Sequence, residues 1–337
     1  MRDVCNYNLL AHNTFGINAN CRRFVEFETA QEAASFFSTY SCGEEPLLLI
    51  GGGSNLLLTA DFPGLVLRSN IKGMIMREDN GHVLLRCGSG EVWDDVVAHS
   101  VSQGWHGAEN LSLIPGDVGA SAVQNIGAYG AEIKDILTEV EAVEMATGRM
   151  VTFSNADCEY GYRDSRFKHD WKNRFFITAV TYRLEKTFQP RLEYGNIRQK
   201  LTAAGINLPT ASQLRQTIID IRNEKLPDVK VEGNAGSFFV NPVVSREKYL
   251  ELEASYPGMP HYTIDEGHEK IPAGWMIEQC GWKGRTLGRA GVHSRQALVL
   301  VNRGGATGQE VLQLCQAVQE DVLRRFGIEI HSEVNIV

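Results

Sequence analysis

Residues 114–130, IPGDVGASAVQNIGAYG, constrain the fold of this chain more than any other segment. Nine of these seventeen residues are glycine, alanine, serine or proline, a composition that predicts neither an ordinary strand nor an ordinary helix. Because small residues keep side-chain bulk away from the backbone, such a loop can lie against a flat group or direct its amides at an anion. Gln124, Asn125 and Tyr129 can add hydrogen bonds there. Composition alone equally allows a long surface loop.

A second glycine-rich segment, GGGSN at residues 51–55, directly follows the apolar run Leu47–Ile50. A sharp turn of unhindered amides after a strand can hold a pyrophosphate, although glycine-rich turns after strands are also common. No GKS or GKT follows, which disfavours a P-loop ATPase. The segment GSGEVW at residues 88–93 begins like a dinucleotide-binding fingerprint, but Trp93 stands where a third glycine would allow close helix packing. We interpret it as a turn that leads into a helix.

Length and composition limit the class of protein. A chain of 337 residues is expected to form two or three domains, and 43% hydrophobic with 22% charged residues is typical of a folded globular protein. A net charge of −8 argues against a general affinity for nucleic acid or anionic membranes. No apolar run has the length of a membrane span and no signal peptide is recognisable, so we expect a cytoplasmic protein without membrane insertion.

The cysteines argue against two kinds of site. There are seven of them, an odd number, and no two form a CxxC pair, which disfavours a disulfide framework and a zinc knuckle. We therefore predict free, buried thiols and no metal site. The cysteines are Cys5, Cys21, Cys42, Cys87, Cys158, Cys280 and Cys315.

The spacing of apolar residues predicts a mixture of helices and strands. The main predicted helices cover residues 29–40, 92–104, 211–226 and 308–327. The main predicted strands cover residues 82–86, 137–145, 150–153 and 175–184, the second and third forming a hairpin. We predict a domain boundary near residue 225, because Pro227, several charged residues and a change in the spacing of apolar residues coincide there. Residues 328–337 are predicted to form a short strand whose alternation puts Glu329, His331, Glu333 and Asn335 on one side.

Three polar positions have open interpretations. Ser237 in GNAGSFF follows small residues that leave its hydroxyl accessible, but no base is adjacent and the motif is not a hydrolase elbow. It is either a plain turn serine or a group that passes on a proton. Arg163 and Arg166 in GYRDSRFK suit surface ion pairs, which stabilise little, whereas an arginine in a dry cleft would stabilise developing negative charge. Glu333 alone suggests only a solvated side chain.

Nine short motifs occur in a fixed order along nearly the whole chain. They are NTFGI at 13–17, GGGSN at 51–55, IPGDVGASAVQNIGAYG at 114–130, YRDSRFK at 162–168, LEYGNI at 192–197, KLPD at 225–228, GNAGSFFVNP at 233–242, AGWMIEQCG at 273–281 and SEV at 332–334. In this order they resemble the flavin enzymes of the UDP-N-acetylenolpyruvoylglucosamine reductase family of bacterial cell-wall synthesis, in its longer form. A single motif would not be specific, whereas the ordered set is.

The resemblance implies an α+β fold. It consists of a two-subdomain FAD-binding unit of the vanillyl-alcohol-oxidase type and a separate α+β substrate-binding domain. The implied segments are residues 1–70 and 71–224 for FAD, 225–327 for substrate and 328–337 for a strand returning to the active site. The implied FAD-binding residues are Gly51, Gly52, Gly53, Ser54, Asn55, Pro115, Gly116, Gly119, Ala120, Gln124, Asn125, Gly127 and Ala128.

The resemblance also implies a reaction, in which NADPH reduces FAD and the flavin N5 hydride then adds to the vinyl carbon of UDP-N-acetylglucosamine enolpyruvate. Ser237 would protonate the adjacent carbon. Arg163 would stabilise the enol-like intermediate with Glu333 as its partner, which can donate a hydrogen bond when protonated. The implied substrate-binding residues are Tyr129, Tyr162, Tyr194, Lys225, Asn241 and Gln296.

One departure and two rival functions accompany this prediction. Some relatives carry a basic residue where this chain has Asn335, so the tail's contribution to phosphate binding is in doubt here. The rivals are an FAD-dependent sugar or alcohol oxidase and a flavin or nucleotide-sugar binding protein that does no chemistry. We expect the UDP-sugar and NADPH as small-molecule partners, no nucleic acid, and a monomer.

Overall fold

The protein is an α+β molecule, described by a computed structural model at residues 1–40, 43 and 45–337. The α-helices are α1 Ala30–Thr39, α2 Trp93–Ser102, α3 Val118–Gln124, α4 Ile197–Ala203, α5 Ala211–Lys225, α6 Arg246–Ser255, α7 Ala273–Gln279 and α8 Gly308–Phe326. The strands are β1 Arg2–Asn8, β2 Asn20–Phe27, β3 Leu47–Ile50, β4 Leu56–Leu57, β5 Phe62–Ser69, β6 Met74–Asp79, β7 His82–Gly88, β8 Gly127–Ala128, β9 Ala131–Glu132, β10 Leu137–Glu144, β11 Met150–Ser154, β12 Phe175–Glu185, β13 Gly233–Asn234, β14 Val243–Ser245, β15 Tyr262–Thr263, β16 His268–Lys270, β17 Thr286–Leu287, β18 Ala290–Val292, β19 Leu300–Asn302 and β20 Asn335–Ile336.

The chain divides into two compact units. The first unit comprises Met1–Tyr7, Cys21–Gly52 and Pro63–Arg222, and the second comprises Asn8–Asn20, Gly53–Phe62 and Asn223–Val337. The four-segment division inferred from the sequence stays a prediction. None of the helices in the described part of the chain combines the length and the apolar character that crossing a membrane requires.

The first unit is built around a five-stranded antiparallel sheet in the order β11-β10-β12-β7-β6. Its central strand, β12, is almost continuously buried because it packs on both faces. Val97 of α2, Val118 of α3 and Val140 of β10 are fully buried in the same core. The predicted strands at 137–145, 150–153 and 175–184 are confirmed, as is the hairpin of β10 with β11.

A second sheet of the first unit, in the order β1-β2-β5-β3, packs against α1. Its strand β3 ends where the GGGSN segment begins. Thr29 caps α1 through a capping box with Glu32, and the helix buries Phe36 and Phe37. β3 runs parallel to β5, with Leu47 opposite Leu65. This pairing fixes where β3 ends and therefore where Gly51 begins its turn.

The second unit is organised by α8, the longest helix in the described residues. Thr307 and Glu310 form its N-terminal capping box, and Gly327 ends it in the left-handed conformation with φ 63°. Its buried residues, among them Val311, Val318 and Val322, lie every three or four positions, the spacing of one helix face. That face packs against β18, β19 and α7.

The glycine-rich segment 114–130 contains a helix, so the prediction that it holds none is wrong. Residues Val118–Gln124 form α3, with Val118, Ser121 and Ala122 buried at helical spacing. The helix packs against β12 and β7, and the smallness of its residues permits that approach. The signal was present in this i, i+3, i+4 spacing but was hidden by the glycine and alanine content.

The strand predicted over 328–337 is only partly present. Ile328 and Ile330 are buried while Glu329 and His331 are exposed, as the alternation predicted. Regular strand structure, however, is confined to Asn335–Ile336. The reason is that residues 331–333 exchange backbone hydrogen bonds with residues 238–240 instead, including a bridge from Phe239 to Ser332.

The described cysteines are free thiols, but not all of them are buried. Cys21, Cys87, Cys158 and Cys315 are buried, and burial raises the pKa of the Cys87 and Cys315 thiols to about 12. Cys280 is half-buried and Cys5 is exposed, so the prediction of burial is wrong for these two. Cys5 lies on β1, an edge strand of its sheet that has little packed against it. Cys42 lies outside the described residues.

Candidate active site

The two glycine-rich segments predicted to bind FAD meet within the first unit. A Cβ atom added to Gly51 would lie 3.3 Å from the Ala120 Cβ, and one added to Gly52 would lie 3.3 Å from the Asp117 Oδ1. A Cβ on Gly119 of α3 would lie 3.0 Å from the Ser89 Cβ. Larger residues would therefore push these segments apart, which is the physical reason for glycine here.

Asn125 ends α3 in the left-handed conformation and is fully buried. The side-chain nitrogen of Asn125 donates to the Gly161 carbonyl at 2.6 Å and to the Glu132 carboxylate at 3.2 Å. Its side-chain oxygen accepts from the backbone amide of Lys134. Asn125 thus holds the shape of the loop, and its direct contact with FAD stays a prediction. Neighbouring Gln124 accepts a hydrogen bond from the Lys168 ammonium at 3.2 Å.

Arg163 lies against the end of the same loop. Its Nη2 donates to the Gly127 carbonyl at 2.5 Å, and a Cβ on Gly127 would come within 2.6 Å of the Arg163 Nη1. Lys168 donates to the Arg163 carbonyl at 2.8 Å, which fixes the backbone in its left-handed conformation with φ 56°. The structure therefore brings together two separate predicted motifs, 114–130 and 162–168. Gly127 and Ala128 form β8 there.

Aromatic side chains predicted to bind substrate surround this region of the first unit. A Cβ on Gly130 would lie 3.4 Å from the Tyr194 Cβ, and one on Gly195 would lie 3.8 Å from the Tyr129 ring. Tyr162 and Tyr194 are each 47% exposed, so much of each ring is accessible. The Arg163 guanidinium lies 5.2 Å from the centroid of the Tyr162 ring.

Arg222 is a candidate that the sequence analysis missed. Its Nε donates to the Leu113 carbonyl at 3.2 Å, and its charge acts on the Tyr129 hydroxyl. Burial lowers the pKa of this guanidinium and raises the pKa of Tyr129. The available signal was its spacing: Arg222 lies seven residues after Arg215, on one face of α5, and Arg215 makes a paired contact with Asp94 at 2.7 and 3.0 Å.

Within the second unit, Gly53 packs against the NTFGI motif. The Thr14 amide donates to the Gly53 carbonyl at 3.1 Å, and a Cβ on Gly53 would lie 1.9 Å from the His12 carbonyl oxygen. Gly53 also has φ 66°, a conformation that costs other residues about 1 to 2 kcal/mol. No side chain fits at this position.

Gly53→Ala should therefore lower the free energy of unfolding by about 3 kcal/mol, from strain plus overpacking. Urea titration followed by circular dichroism measures the loss. Gly258→Ala is the matched control, because Gly258 has φ 74° but nothing within 4 Å of an added Cβ; it should lose only the strain, about 1 kcal/mol. Equal losses in the two variants would contradict the steric argument.

Ser237 and Glu333 are brought together in the second unit. The Glu333 amide donates to the Phe238 carbonyl at 2.8 Å, one residue from Ser237, and the Val240 amide donates to the His331 carbonyl at 3.0 Å. Phe238 is fully buried and anchors this pairing, whereas Ser237 is exposed. Backbone hydrogen bonds thus pair two segments almost a hundred positions apart, one adjoining Ser237 and the other containing Glu333.

Asn55 joins the same cluster. The side-chain nitrogen of Asn55 donates to the Glu333 carbonyl at 3.2 Å. The Asn55 backbone carbonyl accepts from the backbone amide of Asn335 at 3.2 Å and from its side-chain nitrogen at 3.1 Å. β20 and β4 continue the contact as a parallel pair. Asn335, where a basic residue is expected in some relatives, therefore binds Asn55 of the GGGSN segment.

Two predicted substrate residues meet at the first turn of α7. Asn241 accepts a hydrogen bond from the Ala273 amide at 2.9 Å, and a Cβ on Gly274 would lie 3.2 Å from the Gln296 Oε1. The oxygen atoms of both side-chain amides thus face the helix backbone.

The remaining predicted residues differ in exposure. Lys225 is exposed at the end of α5. Among the predicted cofactor residues, Ser54 is half-buried and Pro115 is exposed. Contacts of all these residues with ligands stay predictions.

Known proteins match this chain along nearly its whole length. An FAD binding domain family matches residues 22–154, and the C-terminal domain family of UDP-N-acetylenolpyruvoylglucosamine reductase matches residues 228–337. The reductase of Bacteroides fragilis is 50% identical over 333 residues, covering 98% of this chain and 99% of that protein. The reductase of Chromobacterium violaceum is 46% identical over 328 residues, covering 97% and 96%.

The fold has a solved counterpart. The crystal structure of UDP-N-acetylenolpyruvylglucosamine reductase from Thermus caldophilus matches 99% of this chain and 98% of its own, with a TM-score of 0.67 at 22% identity. The predicted α+β fold with an FAD-binding domain is confirmed, and so is the predicted resemblance. With half of its residues identical to a reductase of equal length, this chain belongs to the UDP-N-acetylenolpyruvoylglucosamine reductase family of FAD-dependent oxidoreductases in peptidoglycan synthesis.

Proposed function

We propose that this enzyme reduces UDP-N-acetylglucosamine enolpyruvate to UDP-N-acetylmuramate with electrons from NADPH. The reaction adds a hydride to the vinyl carbon and a proton to its neighbour, so it requires a proton donor and groups that hold the negative charge formed in between. The observation that carries the proposal is the backbone pairing of residues 238–240 with residues 331–333, which brings the segment of the exposed Ser237 next to the segment of Glu333.

The glycine-rich segments of the first unit fit an FAD. Gly51 and Gly52 lie against Asp117 and Ala120, where an added Cβ would make tight contacts at 3.3 Å, and their bare backbone amides can approach a pyrophosphate or a flat ring closely. When bound, FAD would supply the two-electron carrier that accepts a hydride from NADPH and passes it to the substrate. The protein's own groups then have three tasks: to bind the sugar nucleotide, to hold charge and to deliver the proton.

Ser237 would deliver the proton. Its hydroxyl is exposed and follows Gly236, around which an added Cβ would meet nothing within 4 Å. Asn234 shapes this turn, because its side-chain oxygen accepts from the Gly236 amide at 2.9 Å. A serine hydroxyl is a weak acid, so its proton is transferred as negative charge develops on the carbon, and solvent can restore it afterwards.

Arg163 would hold the negative charge that develops on the substrate carboxylate. A guanidinium whose position is already fixed needs no reorganisation when the charge appears. The hydrogen bond to the Gly127 carbonyl fixes one end of the Arg163 side chain, and the hydrogen bond from Lys168 fixes its backbone. The planar guanidinium group matches the two oxygens of a carboxylate in geometry and in charge.

Glu333 would assist Arg163 as a hydrogen-bond donor in its protonated form. Glu333→Gln should therefore keep kcat within about tenfold of the wild type, whereas Glu333→Ala should lower it by about 10- to 100-fold, the value of one hydrogen bond to a charged group. Glu329→Gln is the matched control, since Glu329 is an exposed carboxylate on the same segment. If Gln proved as damaging as Ala, the carboxylate itself would be required.

The visible spectrum of the purified protein tests the proposed reaction. Under anaerobic conditions NADPH should bleach the flavin absorbance, and the enolpyruvyl sugar should then restore it without oxygen. An oxidase would instead consume oxygen with a reduced sugar and without NADPH. A binding protein would show the flavin spectrum but no NADPH oxidation on addition of the enolpyruvyl sugar. Either result would overturn the proposal.

A further inference from the structure

A buried carboxyl group lies inside the proposed FAD cradle of the first unit, which consists of residues 51, 52 and 116–120. Asp117 is 5% exposed, and its two oxygens face the turn after β3: a Cβ on Gly51 would lie 3.4 Å from Oδ2, and one on Gly52 would lie 3.3 Å from Oδ1. These are the backbone positions assigned above to the FAD pyrophosphate. A negatively charged side chain is unexpected where an anion is to bind.

The Asp117 carboxyl is poorly compensated in the folded protein. Within the described residues, Oδ2 accepts no hydrogen bond, and the carboxyl does not cap the helix that follows it. The nearest cation is the Arg68 Nη2, 4.0 Å away, and the Nη1 of the same guanidinium already binds Glu26. Burial therefore raises the pKa of Asp117 to about 6, although the Arg68 charge opposes this.

Two other charges that face Asp117 act in opposite directions. Lys72 lowers its pKa and Glu91 raises it, and these two groups lie 3.9 Å from each other. The backbone of Asp117 is held on both sides, because the Trp93 amide donates to the Gly116 carbonyl at 3.0 Å and the Val118 amide donates to the Glu91 carbonyl at 2.8 Å. The backbone of Asp117 cannot move away from residues 51 and 52 without breaking this pairing.

A pyrophosphate beside an ionised carboxylate would be repelled in a poorly solvated site. We propose that Asp117 carries a proton whenever FAD is bound, so that the cofactor binds together with one proton and is released as the pH rises. The neutral acid would then donate its O–H to a phosphate or ribityl oxygen. The inference rests on the proposed placement of FAD against residues 51, 52 and 116–120.

The sign of the pH dependence follows from linkage. The bound anion raises the pKa of Asp117 above its value in the protein without FAD, about 6, so the complex binds more protons than its parts at pH values above 6. Affinity should therefore be constant below pH 6 and fall above it, by up to about tenfold per pH unit. A carboxylate that accepted hydrogen bonds from FAD would give the opposite trend.

Release of FAD from the diluted holoenzyme tests this, because free FAD fluoresces and bound FAD is usually quenched. Between pH 6 and pH 8 the dissociation constant of the wild type should rise by about tenfold or more. Asp117→Asn keeps the shape and a hydrogen-bond donor without the charge, so its dissociation constant should not vary over this range. Asp95→Asn, which removes an exposed carboxylate of α2, should behave like the wild type.

A second variant tests the role of the surroundings if Asp117→Asn does not fold. Glu26→Gln releases Arg68 from its competing partner, which stabilises the Asp117 carboxylate and should move the onset of FAD release to lower pH. An unchanged onset would overturn the proposal, as would a wild-type affinity that is constant or rises between pH 6 and pH 8. Failure to bind FAD at any pH would instead overturn the assignment of the cradle itself.

Discussion

Ser237→Ala should slow the reoxidation of the reduced flavin by the enolpyruvyl sugar by about 10² to 10⁴, the usual effect of losing a general acid. Reduction of FAD by NADPH should stay close to the wild-type rate, because no proton from Ser237 takes part in it. Anaerobic stopped-flow absorbance of the flavin measures the two half-reactions separately. The exposed Ser237 hydroxyl lies on a turn shaped by Asn234, so the substitution removes a proton source without disturbing the core.

Ser255→Ala provides the control for this experiment. Ser255 is an exposed serine at the end of α6 in the same unit, and its removal should change neither half-reaction. Equal slowing of both half-reactions in Ser237→Ala would show that the serine supports flavin binding or folding and not proton transfer. A wild-type rate of reoxidation would mean that another group or water delivers the proton.

The strands and long helices were predictable because the spacing of their apolar residues is regular and is not obscured by glycine or alanine. Residues 150–154 alternate between exposed and half-buried positions, and α8 repeats its apolar residues every three to four positions. In α3 the same helical spacing is carried by valine, serine and alanine among glycines, so the composition suggested a loop. For such a weak pattern, packing of the segment on β12 determines whether the helix forms, and this packing cannot be deduced from the local sequence.

The candidate site was predictable in its residues but not in its contacts. The motifs pointed to Ser237, Glu333 and Asn55, yet nothing in the sequence states that the Asn55 side chain donates to the Glu333 carbonyl. Such pairings depend on contacts across more than two hundred residues, which local patterns do not encode. Arg222 was missed for a related reason, since one arginine on an amphipathic helix usually faces solvent.

Arg163→Met should lower kcat/KM for the enolpyruvyl sugar by about 10² to 10³, the usual effect of losing one preorganised donor to a developing oxyanion. Methionine keeps the length and apolar stem of arginine but cannot stabilise negative charge. Because Arg163 also donates to the Gly127 carbonyl, FAD content must be measured alongside, from the ratio of flavin to protein absorbance. A loss of activity matched by loss of FAD would assign Arg163 to the loop alone.

Arg166→Met separates these roles, since it changes the same residue type within the same motif. Arg166 contacts Asp170 at 2.5 Å and lies 4.3 Å from the centre of the Trp171 ring, contacts typical of a surface ion pair, so its loss should leave kcat/KM near the wild type. Arg163→Lys should recover part of the activity, because a lysine keeps the charge but not the planar pair of donors. If both arginines proved equally important, a general electrostatic effect of the segment would replace a specific role for Arg163.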